Sequence, residues 1–289
     1  MKNISKNAII GYPAGIITGI TYGLNPLFGV PLMKEGAAIE SILFFRYAIA
    51  VLFLGGFLLL SRQSFKISWK QADVLLILGL LYTSSSVFLF EAYNYIASGL
   101  ATTIIFLYPV LVAIIMVFLR VVSIILTFVG VVIMTQSDST QTINPIGVIL
   151  SLGSALVYAL FIVIINRSKI ISNISNSLLT FYALTVGAII FFGKITLSDI
   201  HITTGLTGNM AWLNLVGLAI LPTVVSTATL AIATRNIGAT KASVLGVFEP
   251  VTAILIGTVV FGEALTTNII VGILLSIAAI TFMIAKTKR

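Results

Sequence analysis

Tyr95-Ile96-Ala97 through Tyr108-Pro109-Val110 returns 141 residues later as Asn236-Ile237-Gly238 through Glu249-Pro250-Val251. In that register Ser85 falls on Ser226, Ala101 on Ala242 and Pro109 on Pro250. Upstream, Gly11, Gly15, Gly19 and Gly23 place one small residue at every fourth position. Shifted by 136 they become Gly147, Ser151, Ala155 and Ala159, again all small, while Tyr22 falls on Tyr158. The chain is built twice, with a first half over 1–136 and a second over 137–289. Internal repeats in an apolar chain mark secondary transporters, which hold substrate at the repeat interface near the bilayer midplane.

Composition names the solvent. Hydrophobic residues make up 59% of the 289 residues and charged residues 8%, where a soluble domain carries about 25% charged. No water-soluble fold hides that much apolar surface, so the expected class is an all-α integral membrane protein. There is no cysteine, which excludes disulfides, thiol chemistry and cysteine-bound metals. Lys2 and Lys6 precede the first apolar run, but no small-residue cleavage site follows it, so that run reads as a retained span.

Windows of about 20 apolar residues fall near 9–32, 38–61, 72–95, 98–119, 120–136, 145–166, 175–197, 209–235, 239–262 and 266–285. With the N-terminus inside, Lys2, Lys6, Arg62, Lys66, Lys70, Arg120, Arg167, Lys169, Arg235, Lys241, Lys286, Lys288 and Arg289 lie on the cytoplasmic side. Only Lys34 and Lys194 lie outside, and Arg46 falls within the second span. Thirteen against two is a positive-inside bias that puts both termini in the cytoplasm. The net charge of +8 is thus a topology signal, and a nucleic-acid partner is excluded. Five spans per half is an odd number, so the two repeats must be inverted. A cysteine at Ser139 should be labelled from outside and one at Ser168 from inside; labelling of both from one side would overturn this topology.

Gly99 to Thr135 resists the scheme, being apolar with a single charge, Arg120. One straight helix of those residues would run about 56 Å, nearly twice the hydrocarbon core. Charge parity demands a reversal near Arg120. The second repeat carries Phe261-Gly262-Glu263-Ala264-Leu265-Thr266-Thr267-Asn268 at the matching place, and the first repeat lacks those residues. Either the loop of the first half is unusually short or a loop is missing there, and because a helical hairpin normally needs a few turn residues the second is expected.

The chain resembles the EamA-like members of the drug/metabolite transporter superfamily. The resemblance is carried by Ala92-Tyr93-Asn94-Tyr95-Ile96-Ala97-Ser98 leading to Tyr108-Pro109-Val110, and by Phe248-Glu249-Pro250-Val251 leading to Phe261-Gly262-Glu263. Tyr22-Gly23-Leu24-Asn25, with Lys34 beyond, is similar too. It implies ten transmembrane helices in two inverted five-helix repeats, and export or exchange of small metabolites. The first half departs from the family pattern in lacking the Gly-Glu segment after Leu119.

Glu249 is the most suggestive ionisable residue. A helix starting near Thr240 would set it about 14 Å deep, where a charge costs at least ~2.5–3.5 kcal/mol and needs a partner, water or a proton. It is therefore the candidate for proton coupling or for holding a substrate amine. The competing reading is a carboxylate that braces the Pro250 kink. Its repeat mate is Tyr108, a neutral hydrogen-bonding group beside Pro109. Asn25 precedes Pro26, which frees a carbonyl inside the span, and irregular backbone at that depth is tolerated against protein or a water-filled cavity, so Asn25 is a candidate for substrate contact. Tyr22, Tyr82, Tyr108 and Tyr158, with Ser84, Ser85 and Ser86, are expected to line an amphipathic pocket. The glycine ladder reads either as close helix packing or as a cavity face left open by missing side chains.

Arg46 and Glu91 sit at similar depth near the outer ends of their spans, so an outer-gate ion pair is expected between them. His201 and Glu263 read as solvated. No pair of cations reaches the midplane to balance a phosphate, which leaves a small neutral, zwitterionic or amine-bearing metabolite such as an amino acid. No cofactor is expected; the partners are the lipid bilayer, the substrate and, as a candidate coupling ion, the proton. A membrane enzyme would need clustered carboxylates, histidines or a nucleophile with its base, which this chain lacks. A channel would need a filter-like or charged-ring repeat. A lipid or lipid-carrier flippase of the same architecture is the remaining alternative, and it should carry several cations in its cavity. The expected location is the plasma membrane, a prokaryotic inner membrane.

Overall fold

The computed structural model describes residues 6–117, 144–198, 200–237 and 245–264, with positions 242, 267, 270, 271, 274 and 278. Among the described residues the secondary structure is helical and no strand occurs. In chain order the helices are α1 (Lys6–Gly23), α2 (Asn25–Lys34), α3 (Ile39–Leu60), α4 (Trp69–Ala92), α5 (Ser98–Ile105) and α6 (Tyr108–Val117). They continue as α7 (Pro145–Arg167), α8 (Asn176–Leu197), α9 (Asn209–Ala219), a π-helical turn (Ile220–Val225), α10 (Ser226–Ile237) and α11 (Phe248–Phe261). The expected spans at 120–136 and the reversal near Arg120 lie outside the described residues, as do Ser139 and Lys241.

Among the described residues six stretches are long and apolar enough to cross a bilayer: Asn7–Lys34, Ile39–Leu60, Trp69–Ala92, Pro145–Ile165, Asn176–Leu197 and Asn209–Ala233. Ser98–Val112 and Phe248–Phe261 are shorter apolar helices. Leu52, Phe57, Leu80, Ile189, Leu213 and Val259 all project outward and exposed. So much exposed aliphatic surface is compatible with lipid rather than water. The protein is a multi-pass membrane protein; the expected count of ten spans rests on segments outside the described residues.

Sequence sets the helix ends facing water. Ser68 and Gln71 form a reciprocal capping box at α4, Ser175 caps α8, and Asn144 caps α7 ahead of Pro145. Gly262 closes α11 with φ +66, a left-handed geometry that favours glycine.

The packing repeats as the sequence does. A Cβ at Gly11 would meet the Ile237 side chain at 2.5 Å and Asn236 at 3.0 Å. Its counterpart Gly147 faces Ile96 at 2.7 Å and Tyr95 at 3.0 Å. Those partners are themselves 141 residues apart. Likewise Ser85 Oγ lies 3.0 Å from Ser154 Oγ between α4 and α7, and Ser226 Oγ donates to the Thr18 carbonyl between α10 and α1. Each half thus lends its first span to the third span of the other. Small residues let those backbones approach, and hydroxyls join them.

Candidate functional site

Four spans are interrupted at proline. Pro26 has no N–H for the Tyr22 carbonyl, and Asn25 Nδ2 donates to that carbonyl at 2.8 Å. Leu24 forms the break between α1 and α2, one residue ahead of the expected Asn25-Pro26 irregularity. Tyr108-Pro109 opens α6 after a turn at Phe106-Leu107, which splits the expected 98–119 span in two. Pro250 denies the Gly246 carbonyl its usual donor, and the Glu249 N–H takes it at 2.9 Å. Pro222 sits in the π-helical turn, where Thr223 Oγ1 donates to the Leu218 carbonyl at 3.1 Å. Each broken turn leaves polar backbone at membrane depth, which is tolerated only where protein or water satisfies it.

The glycine ladder packs rather than opens. A Cβ at Gly19 would lie 2.9 Å from the Leu245 carbonyl and 3.2 Å from the Glu249 nitrogen. One at Gly23 would lie 2.5 Å from the Glu249 carbonyl oxygen and 2.7 Å from Thr252 Cβ. The break after α1 therefore lies against the break before α11. Glu249 stands twelve residues before Phe261, which by helical rise is about 18 Å from that end of the membrane, close to the middle of a ~30 Å core. It is 5% exposed, and its Oε1 has no hydrogen-bond partner. Asn25, 1% exposed, likewise leaves Oδ1 unpartnered. Buried polar atoms without partners are rare and call for a ligand, an ion or water.

Tyrosines surround this carboxylate. Tyr108 and Tyr158 pack edge to face with centroids 4.8 Å apart, and Tyr158 lies 6.3 Å from Tyr82. Tyr22 adjoins Gly23, which abuts the Glu249 carbonyl. Phe161 stacks on Tyr158 at 5.8 Å and closes the aromatic wall. Asn25, Tyr22, Tyr82, Tyr108, Tyr158 and Glu249 thus fall in one region, drawn from both halves of the chain.

Three expectations are corrected. Arg46 does not pair with Glu91: its Nε donates to Thr223 Oγ1 at 2.9 Å, while Glu91 accepts from Asn94 at 3.2 Å. Among the described residues the ion pair is Glu40–Lys194. Arg46 is 2% exposed, so it points into the bundle and away from the gate. Ser85 does not face a pocket; its hydroxyl is engaged with Ser154, whose Oγ donates back to the Ser85 carbonyl at 2.7 Å. Glu263 is not a free loop carboxylate. Its Oε1 accepts from Ser98 N at 2.8 Å and Ser98 Oγ at 2.6 Å, and its Oε2 from Gly99 N at 3.2 Å.

Glu263 therefore caps the N-terminus of α5, where orphan donors and the helix dipole both favour a carboxylate. Glu263→Ala is expected to lower stability by about 1–3 kcal/mol, the worth of charge-assisted bonds left unmade. A melting temperature in detergent unchanged from the parent protein would show the cap to be dispensable. Sequence reading also passed over Tyr47 and Thr223. Tyr47 is fully buried, donates to Ser86 Oγ at 2.6 Å and neighbours Tyr82 at 5.9 Å. Thr223 could have been found from Pro222 in mid-span, which announces a freed carbonyl.

Comparison with protein families matches the EamA-like transporter family over residues 9–136 and 145–285. A solved crystal structure, titled only as that of a protein, aligns with 96% of this chain and 99% of its own length. It does so at a TM-score of 0.67 and 17% identity, a likeness of fold. Comparison with curated proteins gives no match.

Proposed function

This chain belongs to the EamA-like transporter family, and from that premise we propose that it is a secondary transporter of small neutral, zwitterionic or amine-bearing metabolites, amino acids foremost, working by alternating access around Glu249. The observation that carries this reading is the buried Glu249 carboxylate at mid-depth, whose Oε1 has no partner among the described residues, beside two backbone breaks. A carboxylate there serves an ammonium group or a proton; the tyrosines supply apolar faces with hydroxyl donors. Substrate sites built from discontinuous helices at the repeat interface are the general design of such carriers.

The halves 1–136 and 137–289 are proposed as the two moving bodies, inverted relative to each other, with both termini cytoplasmic and protons as the coupling ion. The twofold repetition of the glycine and hydroxyl contacts supports this division. The test is counterflow: purified protein in liposomes preloaded with one unlabelled amino acid at a time, with and without a pH gradient. Accumulation of the labelled amino acid supports the reading. Failure of every amino acid and simple amine to exchange overturns it.

A further inference from the structure

Pro222 sets up a second charged pole. It leaves the Leu218 carbonyl to the Thr223 hydroxyl, and Thr223 Oγ1 then accepts from Arg46 Nε at 2.9 Å. Among the described residues no carboxylate lies within 4 Å of this buried guanidinium. The rings of Tyr47 and Phe90 flank Arg46, each 5.9 Å from its guanidinium carbon. A guanidinium is always charged and carries five donors. One hydroxyl and two ring faces satisfy few of them.

The two poles lie at like depth. Thr223 is fourteen residues from the Asn209 end and Glu249 twelve from the Phe261 end, which by helical rise is about 21 and 18 Å. Those ends share a side of the membrane, because Lys34 stacks on Phe261 and Gly205 packs on Ala37. An aromatic wall starts at Arg46: Tyr47 beside the guanidinium lies 5.9 Å from Tyr82, and Tyr82 lies 6.3 Å from Tyr158. We infer that Arg46 binds the carboxylate of the transported molecule while Glu249 faces its ammonium, so that the substrate is a zwitterion of the α-amino acid kind. This rests on the reading of Glu249 as the substrate site. A single guanidinium balances one carboxylate. A phosphate dianion would bring excess negative charge next to Glu249.

The test is a thermal-shift titration of the purified full chain with the α-amino acids, the amide of each, and phosphoethanolamine. At least one amino acid is expected to bind about tenfold or more tightly than its amide, the worth of one charge-assisted hydrogen bond. Arg46→Gln should erase that preference, so that acid and amide titrate alike. Thr223→Val keeps the cation but removes the oxygen that orients it, and should narrow the preference; this variant decides if Arg46→Gln does not fold. Equal binding of acid and amide by the parent protein overturns the carboxylate site and leaves the Glu249 reading standing. So does a preference that survives in the variants. Binding of phosphoethanolamine alone moves the site to lipid headgroups, and binding of nothing overturns both readings.

Discussion

Glu249→Gln is expected to cut amino-acid exchange in liposomes by about tenfold or more and to flatten its dependence on pH, while the protein melts no lower than the parent. The first effect follows from chemistry. A carboxylate–ammonium hydrogen bond is worth about 1.5–3 kcal/mol, and each 1.36 kcal/mol is tenfold. Glutamine keeps the shape and hydrogen bonding but can neither hold a charge nor exchange a proton. The second effect separates function from structure. Oε1 has no partner among the described residues, so the native state gains little from the charge that glutamine removes. Groups kept for function commonly cost stability. A structural brace would behave oppositely, with stability falling and the pH profile intact. That pattern would make Glu249 a support for the Pro250 turn.

Gly23→Ala is expected to destabilise the protein by about 1–3 kcal/mol and to reduce exchange along with it. Two effects compete at this site. Alanine in place of a helical glycine gains up to about 1 kcal/mol in propensity. Against it stands the Cβ placed 2.5 Å from the Glu249 carbonyl oxygen and 2.7 Å from Thr252 Cβ. Backbone cannot swing aside as a side-chain tip can, and overpacking typically costs about 1–3 kcal/mol. The clash wins, and relieving it shifts the backbone that carries Glu249. Gly56→Ala supplies the control, because nothing lies within 4 Å of its Cβ and only the propensity gain remains. A Gly23→Ala protein that melts and exchanges like the parent would mean that α1 does not hold the Glu249 turn in place.

Membrane class, the helix registers and the doubled plan were legible in the chain itself. Burial in lipid demands continuous apolar runs and internally satisfied backbone, and both leave periodic marks in a sequence. Proline frees a carbonyl wherever it falls, because its missing N–H is a local property, yet α1 runs through Pro13 and α2 through Pro31 without a break. Glu249 and the tyrosines could be nominated on the same local grounds: a costly charge at depth and amphipathic rings within spans. Partner choice was another matter. Arg46 and Glu91 share a depth, yet depth says nothing of the direction in which a helix face points. The freed carbonyl at Pro222 and the Thr223 hydroxyl drew Arg46 inward instead. Ser85 found Ser154, sixty-nine residues away, and Glu263 found the start of α5, because those donors meet only when helices from different halves pack. The sequence by itself determined the solvent and the apolar helices. Which polar group answers which is a long-range property of packing, and only the tertiary structure decided it.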